Sequence, residues 1–154
     1  MSGRSIAVAL VVAVGVGAAG FAASGQEAGV GYPEGYRSWA HVKSMVILPG
    51  HPLEDPFGGI HHVYANDRAL EGLRTGAYPD GAVFVFDLLE AVSGEGVLEE
   101  GSRKLVGVME RDARRFAATG GWGFEGFAGD SRTERLVKDG GRSCFGCHEA
   151  AQAT

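Results

Sequence analysis

The sequence predicts an α+β, mainly β domain: an antiparallel sheet with short helices, ending in a helix that carries two cysteines. Three observations predict it. Glycine accounts for 26 of the 154 residues, and each one inside a helix costs about 1 kcal/mol relative to alanine, which disfavours long helices. The run Ala82 to Leu89 is apolar on both faces, as a central strand should be. Four further short apolar runs, bounded by Gly, Pro and Asn, give the sheet its other members.

The elements follow in order. Met1 to Arg4 carries one positive charge, Ile6 to Ala19 holds only apolar and glycine residues, and Ala22, Ala23, Ser24 and Gly25 form a cleavage region before Gln26. Residues 1–25 therefore read as a signal peptide, and 26–154 as the domain. A membrane anchor would need ~20 strongly hydrophobic residues, and Gly15, Gly17 and Gly20 dilute this run. Location is expected to be periplasmic or otherwise exported. Residues 26–35 form a Gly-rich lead-in, Tyr36 to Ala40 a short helix, and Val42 to Leu48 a strand closed by Pro49-Gly50. Pro52, Pro56 and Gly58-Gly59 make His51 to Gly59 a loop.

Ile60 to Ala65 is the next strand. Asn66 caps a helix over Asp67 to Thr75 that turns Leu70 and Leu73 inward and stops at Gly76. Tyr78-Pro79-Asp80-Gly81 is a turn with proline in its second position, and the central strand follows. Ser93 to Gly101, acidic and glycine-rich, reads as a solvated connection. Arg103 to Glu110 is a strand, Arg111 to Ala118 a short helical turn, and Gly121 to Ala128 a strand. The last helix starts near Ser143.

Charge removes one class of function. The chain has 14 basic and 19 acidic side chains, net −5. Without residues 1–25, which hold only Arg4, thirteen basic face nineteen acidic groups, net −6. No basic face is visible, so nucleic acid is not an expected partner.

Both cysteines lie in Cys144-Phe145-Gly146-Cys147-His148. Thiols three residues apart on one turn can each add to a haem vinyl group, and the next residue presents an imidazole beneath the iron. The reading is one covalent haem c, with Cys144 and Cys147 as anchors and His148 as the iron ligand. A thioredoxin-like pair would need a βαβ setting, a zinc site two more ligands, and a disulfide here would close only a tiny loop. Few residues follow His148, so a sixth ligand would come from Met45, Met109, His41, His51, His61 or His62.

Four further stretches, in order, carry a likeness: Pro33 to Trp39, Ile60 to Tyr64, Tyr78 to Phe86, and Arg115-Phe116 with Gly121 to Phe124. With the terminal Cys-x-x-Cys-His, the sequence resembles the cytochrome P-460 family, which includes the β-sheet cytochromes c′. The resemblance implies a mainly β haem protein, a homodimer, with an open distal face on a five-coordinate iron. Members that oxidise hydroxylamine bear a lysine cross-linked to the haem, and Phe86 stands at that lysine's position. The lysines present, Lys43, Lys104 and Lys138, lie off that strand. The resemblance thus implies an apolar distal face capped by Phe86 and by Phe57. Such a face suits a small gas or nitrogen-oxide ligand such as nitric oxide, or single-electron exchange with a redox partner protein. Hydroxylamine oxidation is the alternative. His61 aligns with a distal polar residue and reads as a haem-side donor, a sixth ligand or, by default, a surface histidine. Arg37 and Arg142 are candidates for pairing haem propionates, and Glu125 for a proton relay or an exposed strand position.

Overall fold

A computed structural model describes residues 29–151. The signal-peptide reading of residues 1–25 lies outside them. Five strands form one sheet in the order β1 (Ala40–Ile47), β2 (Gly59–Ala65), β3 (Val83–Gly94), β4 (Val97–Arg111), β5 (Trp122–Ala128). Every neighbouring pair is antiparallel, so the sheet is a simple meander. Three helices accompany it: α1 (Glu54–Phe57), α2 (Asp67–Thr75) and α3 (Arg142–Ala151). Among the described residues no helix is long and apolar enough to cross a membrane. The predicted fold class and all five strands are present.

Side chains alternate across the pleat, and the two faces differ. Val85, Val106, Val108 and Phe127 share one face, where Val30 and Tyr36 complete a buried core with Tyr32, Trp39, Tyr64 and Phe116 packed around it. The lead-in is thus part of the core, because Val30 is only 2% exposed. On the opposite face, Ala65, Ala69 and Ala82 pack with Leu70, Tyr78, Phe84 and Trp122 beneath α2. The rest of that face is only partly covered.

Several details depart from expectation. The stretch Ser93 to Gly101 is not a loose connection: β3 and β4 continue into a hairpin arm that turns at Glu95-Gly96, both with positive φ. His51 to Gly59 contains one short turn, α1, with Asp55 outside helical geometry. The turn before β3 closes between the Pro79 carbonyl and the Ala82 amide, which places proline first rather than second, with Gly81 at φ 84°. The helix expected at Tyr36 to Ala40 is a 3-10 turn at Tyr36–Ser38. Beyond β4, the helical turn narrows to Ala117–Thr119.

In α2 the buried positions are Ala69 and Gly72, while Leu73 is 47% exposed. The Tyr78 ring explains this. A Cβ on Gly72 would lie 1.9 Å from Tyr78 Cδ1, so only glycine lets the ring close over the helix.

Asn66 caps α2 as predicted and does more. Its Oδ1 accepts from the Ala69 and Val83 amides at 2.9 and 3.1 Å, and its Nδ2 donates to the Gly81 carbonyl at 2.9 Å. Asn66→Ala should destabilise by about 2 kcal/mol, because a cap is lost together with two strand-end bonds. Asn66→Asp, which keeps both acceptor roles, should fall between the two in urea denaturation. Equal stability of the alanine and asparagine forms would contradict this.

A charged cluster lies within the first face. Asp87, with a side chain 0% exposed, takes Arg37 Nε and Nη2 on Oδ2 at 2.9 and 2.8 Å, and Arg103 Nε on Oδ1 at 2.7 Å. Burial alone would raise the Asp87 carboxyl, but the bonds from Arg103 and Arg37 outweigh it and hold the group below its ordinary value. The Tyr36 phenol beside them is pushed up by burial and by the Asp87 carboxylate.

Candidate functional site

Helix α3 carries the paired thiols. Its N-terminus is set by Asp139, whose carboxylate accepts from the Gly141 and Ser143 amides at 2.9 and 2.8 Å. Cys144 and Cys147 are both unbridged, the first half-buried and the second exposed. Burial, with the Asp139 carboxylate adding to it, pushes the Cys144 thiol above its usual range. Among the described residues no three His, Cys, Asp or Glu side chains are grouped to hold a metal ion.

His148 lies one residue beyond Cys147, open to solvent on one side and against the Phe124 ring on the other, with centroids 5.2 Å apart. That one-sided burial lowers its proton affinity below the ordinary imidazole value. Phe124 is nine-tenths buried in β5 and pairs with Met109, which pairs with Phe84. His148 therefore rests on the partly covered face of the sheet.

The same face presents the row Val63, Phe86, Gly107 and Gly126, in register across β2 to β5. The glycines keep the row shallow. A Cβ on Gly107 would lie 3.3 Å from Phe86 Cδ1, and one on Gly126 would lie 3.3 Å from Leu136 Cβ. Phe86 thus leans over Gly107, half-buried at the middle of the sheet.

Two further candidates gather around Phe86. Phe57, at the end of α1, meets it edge to face at 6.0 Å between centroids, and His61 meets it at 4.5 Å. The sequence-predicted trio of Phe57, His61 and Phe86 is therefore one aromatic cluster. His61 is not the surface histidine taken as its default: it is 1% exposed. Because the Phe57 carbonyl can only accept, His61 Nε2 carries the proton it donates there at 2.5 Å. Its Nδ1 is buried without a partner. Burial is also the main reason that its pKa is lowered.

Other candidates fall elsewhere. Arg37 is committed to Asp87 on the opposite face. Glu125 is not an exposed strand residue but buried, holding Arg135 Nη1 at 2.7 Å and the Val137 amide at 3.1 Å. Met45 is 41% exposed on β1, opposite His61, and Met109 is half-buried beside Phe124. His41 and His62 share Ser44 Oγ on an exposed edge, at 2.9 and 2.8 Å.

Sequence reasoning gave Lys104 no role here. Register slips in β4, where Leu88 faces Leu105 and Leu89 faces Arg103, so Lys104 has no opposite residue. Its Nζ reaches the Gly58 and Pro56 carbonyls at 2.7 and 3.3 Å, beside Phe57. Bulges commonly re-aim a side chain in this way, but pairing register is invisible in one sequence.

A family profile supports the same reading. None of the curated proteins matches the chain. The family profile described as Cytochrome P460 matches residues 33–154, which takes in every strand and helix described above. A sheet face flanked by a cysteine-pair helix, matched over nearly all of the described residues, places the chain in the cytochrome P460 family of haem cytochromes.

Proposed function

We propose that the protein is an exported c-type cytochrome with one covalent haem c, whose apolar-capped distal face binds small gases such as nitric oxide, with single-electron transfer as its companion activity. The carrying observation is that Phe86 and Phe57 cluster on the face of the sheet against which His148 rests. The residues fit the group. Cys144 and Cys147 are free thiols on one turn of α3, His148 supplies an imidazole next to them, and a broad apolar face lies alongside.

When bound, the haem supplies an iron that takes up diatomic ligands and exchanges one electron. The residues set the rest. Phe124 packs against one side of the His148 ring, and the burial there favours the neutral imidazole, the form that can ligate. Phe57 and Phe86 offer neither a ligand nor a strong hydrogen-bond donor, so they exclude water and anions while yielding to small neutral molecules. Phe86 stands where hydroxylamine-oxidising relatives bear the lysine cross-linked to the haem, and a phenyl ring cannot form that bond.

A homodimer that meets a redox partner protein completes the reading. What supports the dimer is β1, an edge strand with Val42, Met45 and Val46 each about 40% exposed. The opposite edge, β5, is covered by bonds between Gly126 or Ala128 and the Glu134–Leu136 segment.

Visible spectra of the purified ferric and ferrous protein, with and without carbon monoxide, test the proposal. A five-coordinate ferrous form that binds carbon monoxide is expected. A six-coordinate low-spin spectrum unmoved by carbon monoxide or nitric oxide would sink it.

A further inference from the structure

We propose that Lys104 and His61 are positioning residues that hold Phe57 over the apolar face, and so set which ligands reach it. The inference rests on the reading of Phe57 as a distal cap. Three consecutive carbonyls at the end of α1 are gripped by side chains from two different strands. Lys104, on β4, takes Pro56 and Gly58 at 3.3 and 2.7 Å; His61, on β2, takes Phe57 at 2.5 Å. In this segment the regular structure is a one-turn helix, and Phe57 remains 36% exposed. The aromatic contact with Phe86 is the ring's only other anchor among the described aromatic pairs.

Two features show that the grip is specific. Lys104 occupies the extra position of a register slip, which frees its side chain from the alternation of β4 and lets it reach across to residues 56–58. His61 is buried with Nδ1 unpartnered, and an unsatisfied buried polar atom is costly. Leucine would fill that space without the cost but could not donate to the Phe57 carbonyl. Gly59 completes the junction. It has φ 133°, and a Cβ there would lie 2.2 Å from the Leu89 carbonyl oxygen, so the segment enters β2 pressed onto β3. The grip and this junction together leave Phe57 one seat, against Phe86.

The consequence is selectivity by size. A firmly seated Phe57 admits a diatomic gas through small ring motions, whereas a bulkier ligand needs the segment to lift. Releasing the grip should relieve the bulky ligand most.

The test uses the haem-loaded protein and Lys104→Met, an exposed substitution that leaves the buried core intact. Ferrous association rates are measured for carbon monoxide and for a series of alkyl isocyanides of increasing size. Amide hydrogen exchange is followed over residues 51–59. The proposal expects exchange in that segment to quicken by about tenfold, as the loss of a charge-assisted hydrogen bond would give, and the isocyanide rates to rise more than the carbon monoxide rate. Lys104→Arg, which keeps a cationic donor, should restore most of the size discrimination. His61→Gln, which keeps an N–H, should behave closer to the unaltered protein than His61→Leu does. Unchanged exchange together with unchanged isocyanide discrimination in Lys104→Met overturns the proposal. If the unaltered protein fails to bind carbon monoxide, the capped gas-binding reading fails instead, and the exchange measurement still decides whether Lys104 and His61 hold Phe57.

Discussion

Replacing both Cys144 and Cys147 by serine should yield a protein from which acidified organic solvent extracts all of the haem. Either single replacement should leave it bonded through one sulfur. The expectation follows from the proposed attachment: each thiol adds its S–H across one vinyl double bond, so two thiols remove two vinyl groups from conjugation. The haemochrome absorption band should move to longer wavelength in two steps as the vinyl groups are restored. Both thiols are unbridged on one turn of α3, and both are replaceable without disturbing the core, since no residue of that helix is buried. Complete extraction of haem from the unaltered protein would disprove covalent attachment, whatever the spectrum of the bound cofactor.

Asp87→Ala should cost about 3–5 kcal/mol of folding stability at pH 7, the usual effect of breaking a buried ion pair and stranding its partner. Two arginines would lose their buried partner here, Arg103 keeping its bond to the exposed Asp130. Arg37 can turn to water, its side chain being 48% exposed, but Arg103 at 16% cannot do so easily. For a domain of this size the melting temperature should fall by roughly 10–20 °C. The effect carries a pH signature. Because the Asp87 pKa is lower folded than unfolded, its contribution is fully present above the unfolded value of about 3.9. It is lost as pH falls through the folded value. Urea denaturation of the unaltered protein and Asp87→Asn should therefore differ widely at pH 7 and converge in strong acid. A small, pH-independent difference would show that the cluster contributes little. His61 adds a second acid-sensitive contribution that sets in earlier. Its lowered folded pKa means that the unfolded chain takes up the proton first, so stability declines once pH drops below about 6.5.

What could be read from the sequence, and what could not, divides along the range of the interactions involved. The Cys-x-x-Cys-His motif is visible in the sequence because it is a run of neighbouring residues, and α3 carries it on one turn. The α2 cap was legible for the same reason, since Asn66 bonds Ala69 three positions on. Strands with continuous apolar runs stood out, but the hairpin arm did not. Between Glu90 and Gly101 the strands are largely exposed, Val92, Val97 and Leu98 included, and they hold each other by main-chain pairing rather than by burial. Asp87 sat unremarked within an apolar strand because its partners are 50 and 16 residues away. Residue type alone favours the surface for His61 and Glu125, yet each is buried with a partner that folding brings to it, the Phe57 carbonyl and Arg135. Leu73 shows the reverse error. The helical period favoured it, but the bulk of Tyr78 selected Ala69 and Gly72 for the inner side of α2.

The sheet's order along the chain bears on how the molecule is assembled. Each strand pairs with the one made just before it, so no closure has to reach past another strand, and even the longest connection, residues 66–82 with α2, is local in the chain. The cysteine helix follows all five strands and leans chiefly on the last of them. A polypeptide that emerges N-terminus first can therefore complete its sheet before the thiols arrive. Cofactor loading would then be a late step on a scaffold already shaped, rather than the event that starts the chain folding.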